Sequence, residues 1–272
     1  MPTKIEWAEE SWNPVTGCTA VSEGCENCYA RRMAKRLAGR YGYPADGPFR
    51  VTLHPERLEQ PFKWRKPRRI FVCSMGDLFH PDVPFGIVHK IFDYVAVEAG
   101  QHVYIVLTKR PERLKQYINE YEDWNPSEAG NIWLGVSAEN QARADERIPV
   151  LLSIPAAVRF VSIEPMLGRV NLRPVTRDEE YTDYLKGERG ATCQHIAVKP
   201  EKLSGELNWV IVGAETGPGR RMMLPRWARD VKDQCVAAGV PFFFKQAYRN
   251  DGTLWRLPEL DGRVWNEYPE AT

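Results

Sequence analysis

Six short runs of β-branched and aromatic residues punctuate the chain: RIFVCS (69–74), VYIVLT (103–108), IWLGVS (132–137), VRFVSI (158–163), WVIVGA (209–214) and PFFFKQ (241–246). Each is continuously apolar rather than alternating, which is the pattern of a parallel strand covered on both faces. Amphipathic stretches separate several of them. FGIVHKIFDYVAVEAG sets Ile87, Ile91, Tyr94 and Val95 on one side of a helix that Gly100 ends. RPERLKQYINEY and NQARADERIPVLLSI read the same way, with Pro149 expected to break or kink the second. LPRWARDVKDQCVAAG opens with Pro225 and closes on Gly239. Alternating strands and helices predict an α/β fold with a parallel sheet. No linker or low-complexity tract divides the 272 residues, so the expectation is one domain over 1–272.

The residues just past each strand carry the functional signal. The runs lead to Met75-Gly76-Asp77, Lys109-Arg110, Ala138-Glu139, Glu164-Pro165, Ala214-Glu215 and Lys245-Gln246. In a (β/α) barrel these carboxyl ends converge on one mouth, where such folds keep their chemistry, whereas an open doubly wound sheet concentrates it at one switch point. Six polar strand ends therefore favour a single parallel (β/α) barrel, closed or partly open. The polar stretch 176–207 interrupts the rhythm and is expected to be an insertion after the fifth strand that covers substrate.

Near the amino end, TGCTAVSEGCENCYARRMAKR holds Cys18, Cys25 and Cys28 in a C-x6-C-x2-C spacing. KIEW or SWNPV can supply a strand just before this loop at 17–28, and a helix is expected from Asn27. The start, MPTKIEWAEESW, lacks the apolar stretch of a signal peptide, and runs such as VYIVL are far shorter than the roughly 20 residues of a membrane span. A cytoplasmic protein without membrane association is expected. In a reducing compartment, clustered thiols indicate a metal or cluster site rather than disulfides. Three thiolates on a four-iron cluster leave one iron open to a small molecule, the logic that separates catalytic from structural zinc sites. Two other readings compete. In one, three thiolates and a water form a zinc-dependent hydrolase or deaminase, although the H-x-E…P-C-x-x-C arrangement of nucleobase deaminases is missing. In the other, zinc staples a nucleic-acid-binding module, with His54, His80 or a later cysteine as fourth ligand. Cys73 and Cys235 read as small core residues, and Cys193-Gln194-His195 supplies too few ligands for a second site.

A cysteine triad after a first strand, ahead of a helix in a parallel (β/α) barrel, resembles the radical S-adenosylmethionine enzymes. GC…S-x-GC-x-NCYA, SMGDLFH, LTKRP, WLGVSAEN, RFVSIEP, WVIVGAETG, FFFKQ and LDGRVWNEYP together resemble a phage and prophage family known for its three-cysteine motif, over nearly the whole chain. The commonest radical-enzyme spacing is C-x3-C-x2-C with an aromatic residue before the third cysteine; here that place is Asn27 and Tyr29 comes after the cysteine instead. The resemblance implies a [4Fe-4S] cluster on catalytic Cys18, Cys25 and Cys28, bound S-adenosyl-L-methionine, an electron donor and a phage-encoded protein partner. Gly76 and Asp77 would meet the cofactor's amino group, Lys109 or Arg110 its carboxylate, and Ser137, Glu139 and Glu164 its ribose.

Basic and aromatic residues interleave in FKWRKPRR (62–69), GRRMMLPRWAR (219–229) and YRNDGTLWR (248–256), although the net charge is only +1. Such mixtures offer phosphate contacts and stacking faces for unpaired bases. The expected substrate is a nucleic acid or nucleotide, with Arg110, Glu215, Arg220, Arg221 and Lys245 bordering it at the mouth.

Overall fold

The computed structural model describes residues 3–121, 124–174, 180–191 and 200–270. Its centre is an eight-stranded sheet of β1 (Glu10–Trp12), β2 (Arg69–Val72), β3 (Val103–Thr108), β4 (Ile132–Ser137), β5 (Val158–Ile163), β6 (Trp209–Gly213), β7 (Phe242–Tyr248) and β8 (Leu254–Arg256). The strands lie side by side in chain order. All neighbours from β1 to β7 are parallel, and β8 returns antiparallel to β7. The six apolar runs are thus six adjacent strands. Their even spacing around one sheet brings every carboxyl end to the same side.

A closed (β/α) barrel does not form, which corrects the expectation from sequence. The sheet is an open, curled half-barrel, and β1 pairs with β2 but with neither β7 nor β8 among the described residues. Closure requires the first and last strands to share a hydrogen-bonding edge. Here β1 has three residues, and the edge of β7 is occupied by β8 instead. Side chains span the gap. Arg256 on β8 donates to the Lys4 carbonyl at 2.8 Å and pairs with Glu6, and Tyr268 Oη donates to the Glu6 carbonyl at 3.4 Å. The strand–helix alternation is also incomplete. Five α-helices are present among the described residues: α1 (Tyr29–Leu37), α2 (Phe85–Asp93), α3 (Pro111–Glu120), α4 (Gln141–Leu152) and α5 (Pro225–Ala238). The link from β5 to β6 carries short antiparallel strands at Glu180–Asp183, Glu188–Ala191 and Glu201–Lys202 in place of a helix.

The pleat divides the apolar residues between two cores. Val72, Val106, Leu134, Val161 and Val212 face α2–α5 and pack with Ile91, Leu114, Ile148 and Val231. On the other face, Phe71, Ile105, Trp133, Phe160, Ile211 and Phe243 gather around Trp7 and Trp209. Trp7 lies 6.2 Å from Trp209 and Tyr268 lies 5.4 Å from it, centroid to centroid. Both terminal segments therefore fill the interior that a closed barrel would fill with strand residues alone.

Pro149 lies inside α4 and does not break it, which rules out one of the two alternatives expected from sequence. The missing N–H costs one intrahelical bond, while Ile148, Leu151 and Leu152 are anchored in the core and Ser153 closes the last turn onto the Pro149 and Val150 carbonyls. α5 ends at Gly239, whose φ of 73° is the left-handed value that glycine accommodates. The described part of the 176–207 stretch lies on the side away from the cysteines. Lys186 and Lys202 line a cavity of about 580 Å³ with Val158 and Pro241, at the amino ends of β5 and β7. Residues 176–179 and 192–199 of the stretch lie outside the described residues. No helix among the described residues is long and apolar enough to cross a membrane.

Candidate functional site

The backbone delivers the first cysteine to the mouth by close contact of two glycines. Val15–Thr16 pairs with Thr52–Leu53, and the next residue, Gly17, forms a parallel bridge to Gly76 beyond β2. Gly17 N donates to the Met75 carbonyl at 2.9 Å, and a Cβ on Gly76 would stand 2.9 Å from the Gly17 oxygen. A side chain at residue 76 cannot fit against that backbone. Gly76 is therefore a spacing residue that sets Cys18 beside the end of β2. Cys25 closes a 3-10 turn, Glu23–Cys25, and Cys28 is the residue before α1. All three thiols are free and half-buried.

Asp77 and Arg110 meet at Cys18. Arg110 Nη1 lies 3.3 Å from Cys18 Sγ and 3.0 Å from Asp77 Oδ2, while its Nη2 donates to the Thr19 carbonyl and hydroxyl, each at 3.0 Å. Asp77 also accepts from Thr108 Oγ1 at 2.8 Å, Phe79 N at 3.0 Å and Lys109 N at 3.3 Å. Its carboxylate is thus committed to four donors and buried. Burial and the Asp77 charge push the Cys18 thiol up to about 11, against the opposing pull of Arg110. The Cys25 charge adds a smaller share to this rise.

Glu139 anchors the middle of the loop. It is fully buried, pairs with Lys109 Nζ, stands 3.1 Å from Arg147 Nη1 and accepts from Ser22 Oγ at 2.6 Å. A Cβ on Gly24 would overlap its side chain. Burial opposes the ionised form, but Lys109 and Arg147 outweigh it and hold the carboxyl below its usual value. Burial likewise opposes ionisation of Cys25, but the Lys109 charge and hydrogen bonds with the Val21 and Ser22 backbones lower its pKa. At Glu23, Asn140 and Arg143 from the start of α4 grip the loop again.

The far side of the mouth repeats the pattern. Glu215 accepts from Asn27 Nδ2 at 3.0 Å and from Arg221 at its backbone N (2.8 Å), Nε (3.0 Å) and Nη2 (2.5 Å). Arg221 also reaches Glu26 at 3.0 Å and the Glu23 carbonyl at 2.9 Å. Arg221 thus ties the loop down, and Arg220 beside it lies over the Tyr248 ring at 4.1 Å. Glu164 pairs with Lys245 Nζ at 2.6 Å and accepts from Gln246 Nε2 at 3.1 Å. Ser137 is buried at the end of β4, where its carbonyl accepts from Arg147 at 2.8 Å.

Two groups of expected residues therefore assemble, one of Cys18, Asp77 and Arg110 and one of Cys25, Lys109 and Glu139, while Glu164 and Lys245 form a separate pair. A four-iron cluster suits the donor set: three thiols on one anchored loop, with Arg110 and Lys109 to offset negative charge. Among the described residues no three His, Cys, Asp or Glu side chains are placed to hold a single metal ion. Ligands of a cluster sit on different irons and so stand further apart than ligands of one ion. His80 Nε2 is held by Thr19 at 2.8 Å and accepts from Asp82 N at its Nδ1, while His54 Nε2 is held by Thr16 at 2.8 Å. Cys73 and Cys235 are buried in the core, with burial pushing the Cys73 thiol up to about 12. Cys193 and His195 lie outside the described residues. Arg147, Asn27, Ser22 and Arg143 were not legible as site residues. Arg147 lies on the buried side of α4 and reaches back to Glu139, which precedes the helix, a signal visible only once the partner carboxylate is known.

A family model described as "Protein of unknown function (DUF5131)" matches residues 2–269. No curated protein and no solved structure matches the chain. The matched span contains the cysteine loop, all eight strands and every carboxylate that anchors the loop, and on this basis the chain belongs to the DUF5131 family.

Proposed function

We propose that the protein is an iron–sulfur enzyme of the radical S-adenosylmethionine kind that modifies a nucleic acid or nucleotide. The observation that carries this reading is the attachment of one three-cysteine loop to polar groups from several strand ends, with Arg110 3.3 Å from Cys18 and Glu139 2.6 Å from Ser22. Cys18, Cys25 and Cys28 would hold a [4Fe-4S] cluster, which when bound supplies an electron to S-adenosylmethionine through an iron without a protein ligand. The protein's own part is to keep that loop in register and its charge offset. Arg110 holds Cys18 and Thr19, and Glu139 holds Ser22 and Lys109. Because Asp77, Lys109 and Arg110 already have partners, cofactor contacts there require those partners to be exchanged, whereas Glu164 and Lys245 form a half-buried pair able to orient a substrate hydroxyl or amino group. The same reading sets the protein in the cytoplasm, in a phage or prophage context, with an electron donor and a phage-encoded protein partner.

The test is anaerobic purification, reconstitution with iron and sulfide, and reduction with S-adenosylmethionine present. Iron and sulfide bound together, with release of 5′-deoxyadenosine, is the expected result. Zinc retained in place of iron would overturn it in favour of the zinc-dependent alternatives.

A further inference from the structure

The exposed surface of α1 is the strongest feature that the cysteine site does not use. Residues 29–40, YARRMAKRLAGR, carry five cations and no carboxylate in a chain whose net charge is +1. The helix buries Ala30 and Ala34. Tyr29, Met33 and Arg36 succeed one another at four- and three-residue steps along its exposed side, and Arg40 follows in the turn beyond its end, where it donates to the Arg36 carbonyl. Tyr29 and Met33 are 45% and 41% exposed, which is unusual for large apolar residues beside a polar site. No carboxylate pairs with Lys35, Arg36 or Arg40 among the described residues. A solvated helix face normally mixes both charge signs; this one does not.

The stripe continues past the cysteine loop. Asn27 donates to the Gly219 carbonyl at 3.0 Å, and Arg32 donates to the Thr216 carbonyl at 2.9 Å, so the start of α1 abuts the turn carrying Arg220. Arg220 stands 4.1 Å over the Tyr248 ring centre, Arg249 stands 5.0 Å from the Trp255 ring centre, and Met222 is 77% exposed nearby in sequence. Stacked guanidinium groups keep an open face for a base.

We propose that α1 and the 216–223 turn form one continuous docking track for single-stranded nucleic acid, passing directly over the cysteine loop. This rests on the reading of that loop as the reaction site for a nucleic-acid substrate. Three features select the ligand. Unpaired cations call for a polyanion, exposed aromatic and thioether side chains call for unstacked bases, and length calls for a polymer. At about 1.5 Å per residue, α1 alone is roughly 13 Å long, nearly four times the 3.4 Å that one stacked nucleotide rises and still longer than one unstacked nucleotide. A free nucleotide would leave most of the track empty. Phosphates on Lys35, Arg36 and Arg40 would hold the strand, while Tyr29, Met33 and Arg220 would meet bases closest to the thiols.

The experiment is fluorescence anisotropy of a labelled single-stranded oligonucleotide and of the matching duplex, with the full-length protein at 50 and 200 mM salt. Wild type is compared with Lys35→Ala/Arg36→Ala/Arg40→Ala and with a control of equal charge loss, Lys186→Ala/Arg189→Ala/Lys202→Ala, at the opposite end of the sheet. Losing three phosphate contacts should flatten the single-strand salt slope by about two units, so the affinity lost between the two salt concentrations should shrink by roughly 15- to 20-fold. The control should behave as wild type. Equal slopes for all three proteins, no binding by wild type, or tighter binding of duplex than of single strand would each overturn the proposal. Iron content measured on the same samples separates this result from the cluster reading: oligonucleotide binding can fail with iron retained, and iron can be lost with binding intact.

Discussion

Replacing Glu139 by Ala removes the one carboxylate shared by Lys109, Arg147 and Ser22. Arg147 is 1% exposed, and its Nη1 would keep only the Ser137 carbonyl. Breaking a buried ion pair from one side typically costs about 3–5 kcal/mol, because the remaining charge stays desolvated. At about 2–4 °C per kcal/mol for a chain of this size class, the melting temperature should fall by roughly 6–20 °C. Removing both charges in Glu139→Leu/Arg147→Met should cost clearly less than the sum of Glu139→Leu and Arg147→Met, since neither Glu139 nor Arg147 is then left buried without the other, although Lys109 still loses its carboxylate. Differential scanning fluorimetry on the four proteins measures this, and amide hydrogen exchange reads the consequence for the site. Ser22 loses its acceptor, so protection across residues 22–26 should drop in Glu139→Ala. A melting temperature within about 2 °C of wild type, or strictly additive losses in the double variant, would refute the claim that Glu139 is a buried charge hub.

Acidification tests the same residue by another route. The pKa of Glu139 is depressed in the folded protein from an ordinary value of 4.5, so its contribution is present above that value and is lost as pH falls towards the depressed one. Glu139→Gln should therefore flatten the acid limb of stability below pH 4.5 in urea titrations, and an unchanged limb would contradict the assignment. Asp77→Ala should cost about 1.5–3 kcal/mol by urea midpoint, the range for charge-assisted bonds, since Arg110 and Thr108 lose their shared acceptor; unchanged stability would show that these contacts carry no weight. Gly76→Ala should lower stability and reduce iron loading together, because the methyl would press on the Gly17 backbone that carries Cys18. Full iron loading in that variant would disprove the spacing role.

Most of the sheet was legible from sequence for a simple physical reason. Strands covered on both faces must be continuously apolar, and six such runs occur, each matching a strand to within a few residues. Openness was not legible. It depends on β1 being three residues long and on β8 pairing with β7, and neither ESW nor LWR carries an apolar run that marks a strand. The polar strand ends were visible as a set, but their roles were not. Asp77 and Glu139 read in sequence as contacts to the cofactor's amino group and ribose, and folding also pairs them with donors from β3 and α4 that the sequence did not mark. Arg221 likewise read as a substrate contact and folds back onto Glu215, Glu26 and the Glu23 carbonyl. Ion pairing between residues far apart in sequence leaves no local pattern to read.

Iron and acid-labile sulfide, quantified after anaerobic reconstitution, test the central claim most directly. The comparison set is wild type, the single replacements Cys18→Ala, Cys25→Ala and Cys28→Ala, and the two core replacements Cys73→Ala and Cys235→Ala. Wild type and both core variants should bind about four irons per chain, with the electron paramagnetic resonance signal of a reduced cluster, and each loop variant should lose most of that iron. Equal iron loss in all five variants, or a wild type that binds zinc and no iron, would contradict the assignment of the three-cysteine loop as a cluster site.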